Sequence, residues 1–175
     1  MIDRARIRLL TPADASAYHD LRLEALRRHP EAFGASLEEE AARSPETIAR
    51  RLGAGPTNCL FGAFAEACLV GTAGFVVPNP SAKSRHKGLL VGVYVSPDHR
   101  GRATGRTLVR TVIDHAKAHV VLLQAAVGAD NAPARRLYDS LGFRQYGLET
   151  RALRVGDAYV AEALLVLDLD SGSAR

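Results

Sequence analysis

One stretch of this chain leaves few choices for its fold. Leu89–Val95 and Val120–Val127 are apolar and carry no charge, and between them Ala103–Ala118 places Leu108, Val109, Val112, Ile113 and Ala116 at helical spacing. Uncharged apolar runs of this length are expected of strands covered on both faces. The repeating stripe is expected of a helix lying on a sheet. Strand, helix and strand in that order make a crossover, and a crossover makes a parallel pair.

The rest of the chain does not repeat that unit. Arg6–Leu10 reads as a short first strand, and Thr11-Pro12-Ala13-Asp14 as a helix start with a Thr cap and an acid three residues on. That helix runs to about Arg28, where His29-Pro30 stops it. Ser44-Pro45-Glu46 opens a second helix, which Gly53 and Gly55 end. Asn58–Ala65 and Cys68–Val77 flank Glu66-Ala67 and read as an antiparallel hairpin. Pro78–Gly88 is a surface loop. Pro133–Ser140 is a short helix ended by Gly142. Phe143–Glu149 and Ala158–Asp168 are the last strands, turning at Gly156-Asp157. The order is β-α-α-β-β-β-α-β-α-β-β. The fold class is therefore α/β in the mixed α+β sense, a mostly antiparallel sheet with one parallel pair. A doubly wound fold would need more alternation.

Composition bounds the class. The 175 residues are 47% hydrophobic and 24% charged, which fits one folded domain over residues 1–170 with a frayed tail at Ser171–Arg175. The most apolar runs, Leu89–Val95 and Ala158–Leu167 (the latter interrupted by Glu162), fall short of the ~20 residues of a spanning helix. Met1–Arg6 lacks the apolar segment of a secretory leader, so none is expected. Cys59 and Cys68 lie in apolar surroundings, and both are expected to be buried, reduced thiols of a cytoplasmic protein, with neither a disulfide framework nor a zinc site. The net charge of +4 fits an anionic partner. No basic stripe with interleaved aromatics is present, so nucleic acid ranks last among such partners. No membrane and no metal are expected.

The most informative segment runs from Val93 through Tyr94, Val95 and Ser96-Pro97-Asp98-His99 to Arg100-Gly101-Arg102-Ala103-Thr104-Gly105-Arg106. A strand ends, small residues turn, and a helix begins. A helix N-terminus offers free backbone N–H groups and partial positive charge, and small residues let a pyrophosphate approach. Arg100, Arg102 and Arg106 add charge beside it. The terminal Lys-Ser/Thr of a Walker loop is absent, as is the three-glycine dinucleotide fingerprint. By itself the turn also fits an ordinary strand–helix junction with solvated arginines.

A second segment, Asn131-Ala132-Pro133-Ala134-Arg135-Arg136-Leu137-Tyr138-Asp139-Ser140-Leu141-Gly142-Phe143, follows after one helix and one strand. Together the two resemble the GNAT family of N-acetyltransferases, most strongly over Leu89–Phe143 and more loosely over Arg6–Leu169. The resemblance implies a twisted sheet of seven strands with a central parallel pair, flanked by four helices. It implies acetyl-CoA as co-substrate and direct transfer of its acetyl group to a primary amine. That amine would belong to a small molecule, a protein or peptide N-terminus, or a lysine. It also admits a homodimer.

The resemblance further implies coenzyme contacts at Val93, Tyr94, Val95, Arg100, Gly101, Arg102, Ala103, Thr104, Gly105, Arg106, Asn131, Arg135 and Tyr138, the first three through the backbone. Tyr138 matches the family's general acid; it could equally pack beside Leu137 and Leu141. Asn131 could cap the following helix, and Arg135 could be solvated. Ala103 stands where the family's turn has its first glycine. A methyl group is harmless there with helical dihedrals and weakening if the turn requires positive φ. The acid often found early in the preceding strand is replaced by Leu89 and Leu90.

The general base is open. Glu149, on the strand leaving the second motif, is the first choice. Tyr94, His86, Glu162, the run Glu38-Glu39-Glu40 and a chain of waters are the others, although three successive acids usually form a solvated face. Acceptor sites in the family are built from the first two helices and the connection between the last two strands, here Pro30–Arg43 and Thr150–Tyr159. Phe33, Ser36 and Tyr159 are the expected acceptor contacts; Phe33 could instead pack onto the sheet. The alternative to an active transferase is an acyl-CoA-binding module with little turnover.

Overall fold

The computed structural model describes residues 5–78 and 81–170. The expected tail at Ser171–Arg175 and the first four residues lie outside that span. Seven strands form one sheet, β1 (Arg6–Leu9), β2 (Asn58–Ala65), β3 (Cys68–Val76), β4 (Lys87–Val95), β5 (Leu122–Gly128), β6 (Arg144–Val155) and β7 (Ala158–Asp168). Their order across the sheet is β1-β2-β3-β4-β5-β7-β6. All neighbours are antiparallel except β4 and β5, the expected parallel pair.

Five α-helices flank the sheet among the described residues, α1 (Ala15–Arg28), α2 (Leu37–Ala41), α3 (Pro45–Leu52), α4 (Thr104–Ala116) and α5 (Ala132–Asp139). One more is present than the sequence reading contained. α2 has only five residues and too few apolar positions to show a helical period, yet a capping box marks it. Ser36 Oγ accepts from Glu39 N at 3.1 Å, and Glu39 Oε2 accepts from Ser36 N at 2.9 Å. The Thr11–Asp14 start is also a reciprocal device. Asp14 accepts from Thr11 N at 2.8 Å and from both Nη atoms of Arg8 at 2.7 and 2.8 Å. The Arg8 guanidinium holds the Asp14 carboxyl far below the usual carboxylate range.

α4 packs on one sheet face through Leu108, Val109, Val112 and Ala116, against Phe75, Leu90, Leu123 and Leu165. On the other face α1 and α3 bury Tyr18, Ile48 and Leu52 with Leu10 and Leu60, and Leu21 and Ala25 with Tyr94. β4 differs from its expectation. It is not covered on both faces throughout, since Leu89, Val91, Val93 and Val95 are only half-buried. The strand also carries a bulge. Thr72 pairs with Tyr94 but Gly74 with Val91, so β4 carries an extra residue at Gly92, whose φ is +61°. One extra residue reverses the alternation. Leu90, Val93 and Val95 join the α4 side, and Tyr94 turns to α1.

Cys59 is buried as expected, and burial pushes its thiol pKa up. Cys68 is exposed, because it opens β3 directly after the two-residue hairpin turn. No helix of the described residues is long and apolar enough to cross a membrane.

Candidate active site

The parallel pair is short. Lys87, Gly88 and Leu89 pair with Leu122, Leu123 and Gln124, and then the strands separate. Leu90–Val95 and Ala125–Gly128 run on without pairing each other. β5 remains laddered to β7 along its other edge, and β4 to β3. The sheet therefore contains a cleft lined by two unpaired backbone edges. α4 begins at the end of β4 and α5 follows the end of β5, so both N-termini stand at the cleft's open end.

The turn into α4 is shaped by two left-handed residues, Gly101 at φ +74° and Ala103 at φ +61°, ψ 5°. Ala103 thus occupies the positive-φ conformation that a methyl group disfavours. The first bond into α4 is Thr107 N to Ala103 O at 2.9 Å. No backbone acceptor within the chain serves the amides of residues 101–106 among the described residues. A Cβ on Gly101 would meet nothing within 4 Å, and one on Gly105 nothing closer than 3.7 Å. This is an open nest of amides with the positive end of a helix behind it, suited to a phosphate.

The arginines around it behave differently from one another. Arg102 is exposed. Arg106 donates to Ser140 Oγ and tethers α4 to the end of α5. Arg100 folds back, with Nε donating to Val95 O at 2.9 Å and Nη2 at 3.1 Å from His29 Nε2. Arg135 braces the β5–α5 connection, donating to Ala129 O and to Gln145 Oε1, both at 3.0 Å. Asn131 caps α5, its side chain accepting from Ala134 N at 3.2 Å. Tyr138 is 6% exposed, edge-on to Phe143 with centroids 5.5 Å apart. No described side chain or backbone group bonds its hydroxyl, and burial pushes its pKa up to about 12.

Across the sheet lies a cavity of about 770 Å³ between the end of α1, α2 and the β6–β7 turn. Leu26, Phe33 and Leu37 meet Leu153 and Val155 there, with Arg27, Glu38, Glu39 and Arg154 among its polar lining. Phe33 reaches the cleft side as well, its ring 6.5 Å from that of Tyr94. Ser36 lines the cavity while capping α2. Tyr159 does not line it. Tyr159 is 56% exposed, with Arg151 lying 5.3 Å over its ring.

The carboxylates separate by environment. Glu149 on β6 lies directly opposite Glu162 on β7, and Glu162 in turn opposite Gly128 at the end of β5. Burial, and then the facing Glu149 charge, raise the Glu162 pKa. Glu24 accepts from the Tyr94 hydroxyl at 2.8 Å; burial first, and then this bond, push Tyr94 up to about 12. His86 is exposed at the paired end of β4 and β5, its carbonyl accepting from Val121 N at 2.9 Å. Glu38 and Glu39 are exposed, but Glu40 is 1% exposed, so the acidic run is not a uniform solvated face. The Cys59–His115 contact was not visible in the sequence. Sγ lies 3.5 Å from Nε2, which is also 2.7 Å from Pro56 O. No group of three or more metal-ligating side chains occurs among the described residues.

The comparisons agree with this geometry. The acetyltransferase (GNAT) family model matches residues 17–143. The chain is 38% identical over 117 residues to the N-alpha-acetyltransferase RimI of Mycobacterium tuberculosis, covering 66% of this chain and 71% of that protein. The yncA protein of Salmonella typhimurium, solved with its cofactor acetyl-CoA, superposes with a TM-score of 0.84 at 22% identity, covering 98% of this chain and 97% of its own. A ribosomal-protein-alanine N-acetyltransferase from Brucella melitensis superposes at 0.79 with 25% identity, covering 93% and 99%. The matched span contains the amide nest, the cleft and Tyr138, and on these grounds the chain belongs to the acetyltransferase (GNAT) family.

Proposed function

We propose that the protein moves the acetyl group of acetyl-CoA directly to a primary amine, and that the amine is the N-terminus of a protein or peptide. One observation carries the reading. The cleft between β4 and β5 opens the sheet between the amide nest on the α4 face and the cavity on the α1–α2 face. A thioester threaded from the nest and an amine entering from the cavity would meet there. The N-terminal acceptor is supported by the names of two of the relatives.

In this reading the pyrophosphate sits on the amides of residues 101–106, with Arg102 beside them. The unpaired edge of β4 at Val93–Val95 bonds the pantetheine arm and polarises the thioester carbonyl. The amine nitrogen attacks the carbonyl carbon, the C–S bond breaks, and the sulfur takes the Tyr138 hydroxyl proton. Burial raises the phenol's pKa, so Tyr138 carries its proton throughout the physiological range. Glu162, directly or through water, takes the proton that the amine loses. It displaces Glu149 as the preferred base, because it is the more buried of the facing pair, and burial and then the Glu149 charge raise its pKa. Glu149 then acts on Glu162 by charge.

The test is coenzyme A release, read with a thiol reagent, across peptides with free N-termini, blocked peptides containing lysine, and small amines. Wild type and Tyr138→Phe run together. Release with free N-termini that falls by roughly a hundredfold in the variant is expected. Saturable acetyl-CoA binding without release on any amine would instead favour an acyl-CoA-binding module. Absence of binding would remove the reading altogether.

A further inference from the structure

α2 should not be able to hold its place by ordinary means. Five residues are too few for a helix to be stable by itself, and the only one of them that is buried is Glu40. Yet Ser36 through Glu39 form one wall of the acceptor cavity. What fastens α2 to α1 is Glu40. Its carbonyl is 3.0 Å from His19 Nε2, and its carboxylate lies 3.8 Å from Arg22 Nε and 3.4 Å from Arg43 Nε. Both carboxylate oxygens and Arg22 Nε are buried without a hydrogen bond within the chain, so the attachment is charge against charge, with the Glu40 side chain 1% and the Arg22 side chain 12% exposed. Burial lowers the Arg22 pKa, as expected of a cation held away from water.

Arg22 has a second contact. The same guanidinium lies 4.5 Å over the Phe33 ring, and Phe33 is a wall of the same cavity. A planar cation can face an aromatic ring and present its edge to a carboxylate at once; an ammonium cannot. Thus Glu40 sets Arg22, Arg22 sets Phe33, and Glu40 also sets the backbone of α2. We infer that the Glu40–Arg22 pair is a positioning device that fixes the shape of the acceptor cavity and so selects among acceptor amines, without acting on the coenzyme side. The inference rests on the acetyltransferase reading for its kinetics but not for its structural content. The packing of α1 and α3 also rests on Leu21, Ala25, Leu26, Ile48 and Leu52, all buried.

The experiment compares wild type, Glu40→Gln, Arg22→Lys and the double variant. Initial rates are measured against the fastest peptide of the panel above and, separately, against acetyl-CoA. Hydrogen–deuterium exchange is followed on the amides of residues 33–41 and 104–110. Glu40→Gln is expected to raise the acceptor KM on the order of tenfold and leave the acetyl-CoA KM within about twofold. Arg22→Lys keeps the charge and loses the stack, and is expected to raise the acceptor KM in the same direction. Its effect should shrink in the Glu40→Gln background. Exchange should quicken over residues 33–41 alone. An unchanged acceptor KM in both variants overturns the inference, as does a parallel rise of both KM values with faster exchange everywhere. If wild type acetylates nothing, the exchange pattern still decides whether the pair holds the wall, and only the proposed function falls.

Discussion

The two sides of the cleft are built in opposite ways. The α4 side is local. Within a single run from Gly92 to Arg106, a bulged strand, two left-handed residues and a helix N-terminus create the amide nest, and neighbours in sequence are neighbours in space. The α1–α2 side is assembled from afar. Its cavity needs the end of α1, a five-residue helix and the β6–β7 turn, with Glu40 and Arg22 joining the first two. The contrast teaches that the coenzyme side is specified by backbone conformation, the acceptor side by a few side-chain contacts. Substitutions should therefore act by different mechanisms on the two sides.

The largest expected effect lies between them. Glu162→Gln should lower kcat/KM by about a hundredfold at neutral pH, with acetyl-CoA binding by calorimetry nearly unchanged. An equal loss of acetyl-CoA affinity would move Glu162 out of the proposed base role. Next is Gly101→Val. Open space surrounds that position, so any loss is conformational. Holding a β-branched residue at φ +74° should cost roughly 2 kcal/mol and weaken acetyl-CoA by about tenfold or more, with acceptor KM unmoved. Comparable damage to acceptor KM would blur the contrast drawn above.

Glu149→Gln tests charge at a distance. Removing the facing carboxylate lowers the Glu162 pKa, so a rate that needs ionised Glu162 should retain activity to lower pH. The acid limb of the kcat/KM profile is expected to move down; an upward shift contradicts the pairing. Asp14→Asn is a control outside both sides. The native Asp14 pKa is depressed, so its contribution is present above the unfolded value of about 3.9 and fades as pH falls below it. A loss of roughly 1–2 kcal/mol at pH 7, discounted because Arg8 is partly exposed, should vanish in strong acid. The smallest effect is Ala103→Gly. Relief at φ +61° is worth up to about 1 kcal/mol, offset in part by glycine's freer unfolded chain, and acetyl-CoA affinity should tighten by a few-fold at most.

What could be read from the sequence follows the same division. The strands, the parallel pair, α4 and the nest were legible because period and turn chemistry are local. β6 was expected to end at Glu149 but continues to Val155, since its later pairing to β7 is set by the Gly156 turn rather than by alternation. The bulge at Gly92 left no mark but a glycine in an apolar run. Arg100 and Arg135 were expected beside the coenzyme, and nothing in the sequence marked the bonds they make within the chain to Val95 and His29 and to Ala129 and Gln145. Glu40 was hidden in a run of three acids, and only the fold decides which of three faces inward. The capping box at Ser36 and Glu39 was the one signal that could have revealed α2.

β6 has a further consequence for the molecule in a crowded solution. It is an outer strand of the sheet and twelve residues long, with Tyr146 and Leu148 more than half exposed. Such a rim is ordinarily a template on which another chain can polymerise. Its register on β7 breaks between Gln145 and Gly147 and again between Glu149 and Leu153. Its ladder to β7 is thereby cut into runs of at most three residues, Gly147–Glu149 and Leu153–Val155 being the longest, and the outer edge of the same strand shares those breaks. A stranger's strand finds a twice-interrupted edge to copy, and such irregularities guard an outer strand against fibre growth.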